Sequence, residues 1–351
     1  MPSFHDLRAV DAAAAACRID RRRLSRLRTL VFRYGRRPQE ALDELDPESR
    51  AEFCRRVRLG ELETVKRHDS IHDGASKLVL QTVSGNLLET VLLRSASGRT
   101  SVCVSSQIGC AAGCRFCATG QMGLVTNLTA AQIGDQVLLA GQILAGEGRR
   151  VDNVVLMGMG EPLQNERAVH AALELLVSPS AFALPPRRIT VSTVGIPAGM
   201  IRLAQRFAEV RLALSLHSAR KSVREELIPL ARRYDLPALA DAIRRANALQ
   251  RQPVMIEYLL LAGRTDTEKD FAALVAFLAG LRVHVNLIAF NPIQMSEGEP
   301  AASRGAELTA TSRSDRERFA NRLKALGVPV TLRRSLGGDI AAACGQLAGT
   351  R

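Results

Sequence analysis

Residues 103–120 read CVSSQIGCAAGCRFCATG. A short β-branched run gives way to glycine, and Cys110, Cys114 and Cys117 follow in close succession. The chain has seven cysteines in 351 residues, and four of them fall in this stretch. An odd count with this clustering argues against a secreted disulfide framework and for metal ligation or catalysis. Cysteine thiolates hold iron–sulfur clusters. Three of them supply three ligands to a four-iron cube and leave one iron open, and an open metal position marks a catalytic site. Gly109 and Gly113 let the backbone wrap closely round a bulky group. A structural zinc site usually takes four ligands, and no fourth Cys or His lies nearby in sequence. Zinc and incidental thiols are the alternatives.

Working outward, the downstream chain alternates strands and helices. Strands are expected at Val102–Ser105, Asn153–Met157, Arg188–Ser192, Arg211–Leu216, Val254–Leu261, His284–Phe290 and Pro329–Arg333. Helices are expected between them, at Ala130–Ala145, Arg167–Leu176, Met200–Phe207, Leu236–Leu249, Glu268–Leu281 and Ser314–Leu326. This alternation implies βαβ units and a parallel sheet, and such sheets bind ligands at the carboxyl ends of their strands. Met295–Thr311 is rich in small and polar residues and reads as a mobile loop. Upstream, KLVLQTVSGNLLETVLL (Lys77–Leu93) is a hairpin signal around Ser84-Gly85-Asn86. Residues 1 to about 65 show helical spacing, with Asp20 and Asp46 as N-caps. The expected division is a helical accessory domain over 1–70, a β-hairpin linker over 71–100 and an α/β domain over 101–351.

Apolar residues make up 46% of the chain, which excludes wholesale disorder. No apolar run approaches the ~18 residues of a membrane span, and the first residues, MPSFHDLRAV, carry no export signal. A cytoplasmic protein is expected. Net charge is +13, almost all of the excess being arginine. That balance predicts a phosphate-rich partner, since the guanidinium fork contacts phosphate bidentately; solvated helix faces are the bland alternative. Arg21, Arg22, Arg23, Arg26, Arg28, Arg333 and Arg334 are the candidate contacts. Aromatic residues are 4% and Trp is absent, so aromatic base stacking is not the obvious contact mode.

Cys110-x3-Cys114-x2-Cys117, with Phe116 before the last cysteine, resembles the signature of the radical S-adenosylmethionine (SAM) superfamily. The stretch from Cys103 resembles one branch closely, the RlmN/Cfr family of RNA (adenine) methyltransferases. The likeness continues through Met157-Gly-Met-Gly-Glu-Pro162, Val191-Ser-Thr193, Ser215-Leu-His217, Asn291-Pro292 and Asp339-Ile-Ala-Ala-Ala-Cys344-Gly-Gln-Leu, and covers the chain from about Asp73 onward. It implies a partial (β/α)6 barrel with a small N-terminal helical domain. It also implies a [4Fe-4S] cluster on Cys110, Cys114 and Cys117, and SAM contacts at Gly160, Glu161, Ser192, Ser215, Leu216, His217 and Asn291. Cys344 would carry a methyl group as S-methylcysteine, and Cys103 would close a transient disulfide with it. Glu89 would accept the ring proton. Two SAM molecules would be used per turnover, with flavodoxin or ferredoxin as reductant and a monomeric enzyme.

The implied reaction methylates carbon 2 of an adenosine in 23S rRNA, with tRNA a further substrate. Its rivals are carbon 8, as in the Cfr branch, and an RNA-binding iron–sulfur protein without methyl transfer. Radical chemistry suits the task because an adenine ring carbon is a poor nucleophile, and the cofactor carries the difficult step. The chain departs from the family pattern at Thr126 (usually Arg), Ser218-Ala219 (usually Ala-Pro) and Leu230-Ala231 (usually Ile-Asn), and by one residue between Glu89 and Cys103.

Overall fold

The computed structural model describes residues 1–293 and 308–349. Most of the loop expected over Met295–Thr311 lies outside them. Ten strands form one sheet: β1 (Leu62–Asp69), β2 (Ala75–Thr82), β3 (Leu87–Arg94), β4 (Thr100–Cys103), β7 (Asn153–Leu156), β8 (Ile189–Thr193), β9 (Arg211–Ser215), β10 (Val254–Leu260), β11 (Val283–Ala289) and β12 (Val330–Arg333), in that spatial order. The strands from β1 to β4 pair antiparallel; every pairing from β4 to β12 is parallel. The expected six strand–helix units are thus continued by a seventh parallel strand, β12. Among the described residues no ladder joins β12 to β1.

Helices cover the parallel strands, which explains why β8 and β10 are buried almost throughout and read as continuous apolar runs. The helix Ala130–Gly146 starts on a capping box between Thr129 and Gln132. The helix Leu236–Leu249 starts on the Asp235 cap, with Pro237 in its first turn. Helices also fill the N-terminal segment, with Asp20 and Asp46 capping as expected.

Two features escape the sequence reading. Residues 62–69 form β1 and not the end of a helical head; their side chains alternate too weakly, with most of them exposed, to signal a strand. A small antiparallel pair, β5 (Gln107–Cys110) and β6 (Gly123–Asn127), closes the base of the cysteine loop. Gly109 takes φ 71° there, and a Cβ on it would collide with the Gly123 carbonyl.

Candidate active site

The carboxyl ends of the parallel strands surround a cavity of about 150 Å³. Cys110, Cys114 and Cys117 line it on one side, with Gly160, Glu161, Ser192, Ser215, His217 and Asn291 on the others. Leu216 does not join them; its side chain is fully buried in the main core. A neighbouring cavity of about 110 Å³ lies toward β3 and β4 and is lined by Cys103, Arg333 and Arg334. Cys344 and Gly345 line both cavities.

Hydrogen bonds pass from strand end to strand end round the first cavity. The buried Glu161 carboxylate, after β7, accepts from Leu163 N (2.9 Å) and from Val194 N (2.8 Å) beyond β8. Its side chain is therefore part of the wall. The guanidinium of Arg224, fully buried, donates to Val194 O, Ser215 O and Leu216 O, tying the ends of β8 and β9. Burial lowers its pKa to about 10. Leu216 N donates to Glu257 O on β10, and His217 Nδ1 accepts from Leu259 N (3.1 Å). Burial, with Arg224 nearby, lowers the His217 pKa to about 3, so the imidazole is neutral at ordinary pH. His217 has φ 56°, sparsely populated for such a residue, and its ring meets Phe116 of the cysteine loop edge-on. Glu257 Oε1 accepts from Asn286 on β11 (3.0 Å), and burial raises the pKa of that carboxyl. Sequence reading missed Arg224 and Glu257; Glu257 is a lone charge in the apolar run Val254–Leu261, the available signal, whereas Arg224 sits among Lys221, Glu225 and Glu226 and carries none.

The three loop thiols sit against an apolar shell that includes Leu227, Ile228, Leu259 and Phe290, and the divergent Leu230 and Ala231 belong to it. Burial pushes the Cys110 thiol up to about 12 and raises Cys114 and Cys117 as well. All seven cysteines are free thiols. Among the described residues no group of three or more Cys, His, Asp or Glu side chains closes round a single ion. Cys110 and Cys114 are buried and Cys117 half-buried round one cavity, and thiolates are the donor type that holds an iron–sulfur cluster.

Cys103 is half-buried, and burial together with the facing Cys344 pushes its thiol up to about 12. Cys344 is exposed on a loop without regular structure. Arg333 differs from the expectation of a surface contact: it turns inward, half-buried, 3.7 Å from Glu257 Oε2, and faces both sulfurs. Arg28 differs too, being buried against Leu7 O and Asp11. Arg23 and Arg26 pair with Asp46 and Glu44. Arg21 and Arg22 remain exposed. Glu89 lines neither cavity; it is fully buried on β3.

The sequence pattern of the radical SAM superfamily matches residues 104–278. A probable dual-specificity RNA methyltransferase RlmN from Thermus thermophilus is 42% identical over 91% of this chain and 86% of its own. The chain belongs to the RlmN family of radical SAM enzymes. Another family member, from Myxococcus xanthus, is 40% identical over 92% of this chain and 87% of its own. A probable RNA methyltransferase from Rhodopirellula baltica is 53% identical over 83% of this chain and 74% of its own. The crystal structure of a radical SAM methyltransferase from Sphaerobacter thermophilus covers both chains completely, with a TM-score of 0.92 and 36% identity. The fold is thus that of a radical SAM methyltransferase from end to end, and family membership implies a [4Fe-4S] cluster and SAM. No described helix is long and apolar enough to cross a membrane.

Proposed function

We propose that this enzyme methylates carbon 2 of an adenosine in 23S rRNA, with tRNA as a second substrate. The observation that carries the reading is the position of Cys344, exposed on a loop where the three-thiol cavity meets the cavity of Cys103. A sulfur there reaches a cofactor on one side and an acceptor on the other. The dual-specificity names of the relatives support two RNA substrates.

Cys110, Cys114 and Cys117 would hold the cluster. With SAM bound, two molecules per turnover, one SAM would supply the methyl group, and the cluster would supply the electron that turns the other into a hydrogen-abstracting radical. Glu161, Ser192, Ser215 and His217 shape the SAM wall, and the neutral His217 adds no positive charge beside a cationic sulfonium. Cys344 accepts the methyl group as a thiolate nucleophile and presents it to the base. Arg333 faces both sulfurs, and its charge opposes the burial penalty on Cys103. Once the carbon is bonded to the base and the ring hydrogen has left as a proton, the Cys103 thiolate attacks the Cys344 sulfur: the S–S bond forms, the S–C bond breaks, and the released carbon takes a proton to become the methyl group of the product. An outside reductant, flavodoxin or ferredoxin in this reading, returns the two electrons.

Exposed Arg21 and Arg22, at the start of the helix Arg21–Arg28, and exposed Arg334 are the phosphate contacts that remain open. Nucleoside analysis of RNA incubated with the reconstituted enzyme, SAM and reductant tests the reading. It expects 2-methyladenosine; 8-methyladenosine or unmodified RNA contradicts it.

A further inference from the structure

Lys77 and Glu89 lie diagonally across the β2–β3 ladder, Lys77 opposite Val91 and Glu89 opposite Val79, on one face of the sheet. They form an ion pair of 3.0 Å between Lys77 Nζ and Glu89 Oε1, with Glu89 wholly out of solvent. A buried pair is weak evidence for stability, because desolvation offsets the attraction. Its geometry points elsewhere. Glu89 Oε2 accepts from Ala348 N (2.8 Å) and Gly349 N (3.2 Å). Lys77 Nζ also donates to Ala341 O (3.3 Å). The pair therefore grips both ends of the short segment that carries Cys344. Ser105 Oγ donates to Glu89 O (2.6 Å), and Gln136 holds Ser105 in turn, so the grip stands on a rigid base.

Glu89 Oε2 is held by two amides, while Oε1 has the Lys77 ammonium beside it as an ion pair but accepts no hydrogen bond. Glu89 lines neither the three-thiol cavity nor the cavity of Cys103. We propose that Glu89 is a positioning residue: with Lys77 as its charge partner, it sets the Cys344 loop in register with the three-thiol cavity by holding the Ala348 and Gly349 amides. The proposal rests on the reading of Cys344 as the methyl carrier.

The test compares Glu89→Gln with Glu89→Leu in the full chain, each also made with Lys77→Met so that no lone buried charge confuses the result. Glutamine keeps an acceptor for the two amides and cannot take a proton from substrate; leucine keeps the shape and loses both. Hydrogen exchange of residues 341–349 is read first, without cofactors. Cys344 methylation and RNA product are then measured separately by mass spectrometry. Glu89→Leu is expected to speed exchange at Ala348 and Gly349 by about tenfold or more and to lower Cys344 methylation to a similar degree. Glu89→Gln is expected to restore both to within about threefold of the unaltered enzyme. Normal methylation of Cys344 in Glu89→Gln with loss of RNA product would make Glu89 the proton acceptor and overturn the proposal. Unchanged exchange in Glu89→Leu, in both backgrounds, would also overturn it. Accelerated exchange in Glu89→Leu in an enzyme whose Cys344 is never methylated would uphold the anchor and sink the carrier reading instead.

Discussion

The rim of the parallel sheet and the Cys344 loop face each other across the same cavity, but they are held in different ways. Each strand-borne rim residue lies at or just beyond the end of a strand, and the strand ends are laced together by buried groups: Glu161 between β7 and β8, Arg224 between β8 and β9, the 216–217 turn between β9 and β10. The Cys344 loop has only a short 3-10 turn nearby, at Gly338–Ile340. It is moored by bonds to distant segments: Asp339 to Ser70 and Ile71, Gly337 N to Asp73, Asn291 to Cys344 O, and Ala118 N to Gly345 O. Rim geometry is therefore coupled to global folding. Loop geometry is a sum of local bonds that can open without unfolding the sheet. A site that must hold one cofactor still and move one sulfur between two partners needs both kinds of construction.

Substitutions should separate the two. Cys344→Ala should have the largest effect, a loss of RNA product of at least about a thousandfold on the scale of removed nucleophiles, with cluster absorbance and thermal midpoint unchanged. Retained product would break the assignment of the loop as carrier. Glu161→Ala, on the rim, should orphan two amides and cost about 2–4 kcal/mol of stability, read as a lower urea midpoint. A midpoint equal to that of the unaltered enzyme would show that the lacing does not bear on folding. Gly345→Ala should do the reverse. Gly345 has φ 88°, and a Cβ there would meet the Phe116 carbonyl at 2.8 Å. Cys344 methylation should slow by roughly tenfold as the loop shifts, with the urea midpoint unmoved.

A further effect concerns pH. His217 titrates near 3 in the folded protein and near 6.5 unfolded. Between those values only the unfolded chain binds the proton, so stability falls as pH drops from 6.5 toward 3. The slope from this residue is at most about 1.4 kcal/mol per pH unit. His217→Asn tolerates the positive φ and keeps an acceptor for Leu259 N. It should flatten the stability profile over that window; parallel profiles for the two proteins would remove the rim histidine from the acid response.

The rim was also the legible part. Apolar runs such as VMIEYLLL and turn residues such as Gly160 locate strands and their ends, because burial on both faces leaves a strong local imprint. The helix Leu236–Leu249 begins and ends where its spacing says. The loop's moorings were not legible. That Glu89 meets Ala348, or Asp339 meets Ser70, depends on closing very long stretches of chain, and no local pattern encodes such a meeting. The same is true of Arg333, whose sequence neighbour Arg334 is exposed while it turns into the cavity between two sulfurs.

The central claim is that Cys344 carries the transferred carbon. Incubation of the anaerobically reconstituted enzyme with SAM bearing a deuterated methyl group, followed by peptide mass spectrometry, tests it directly. The account predicts the labelled methyl on the peptide containing Cys344, and its passage to adenosine when RNA and reductant are added. Labelled adenosine formed while Cys344 stays unmodified, and equally formed by Cys344→Ala, would contradict it.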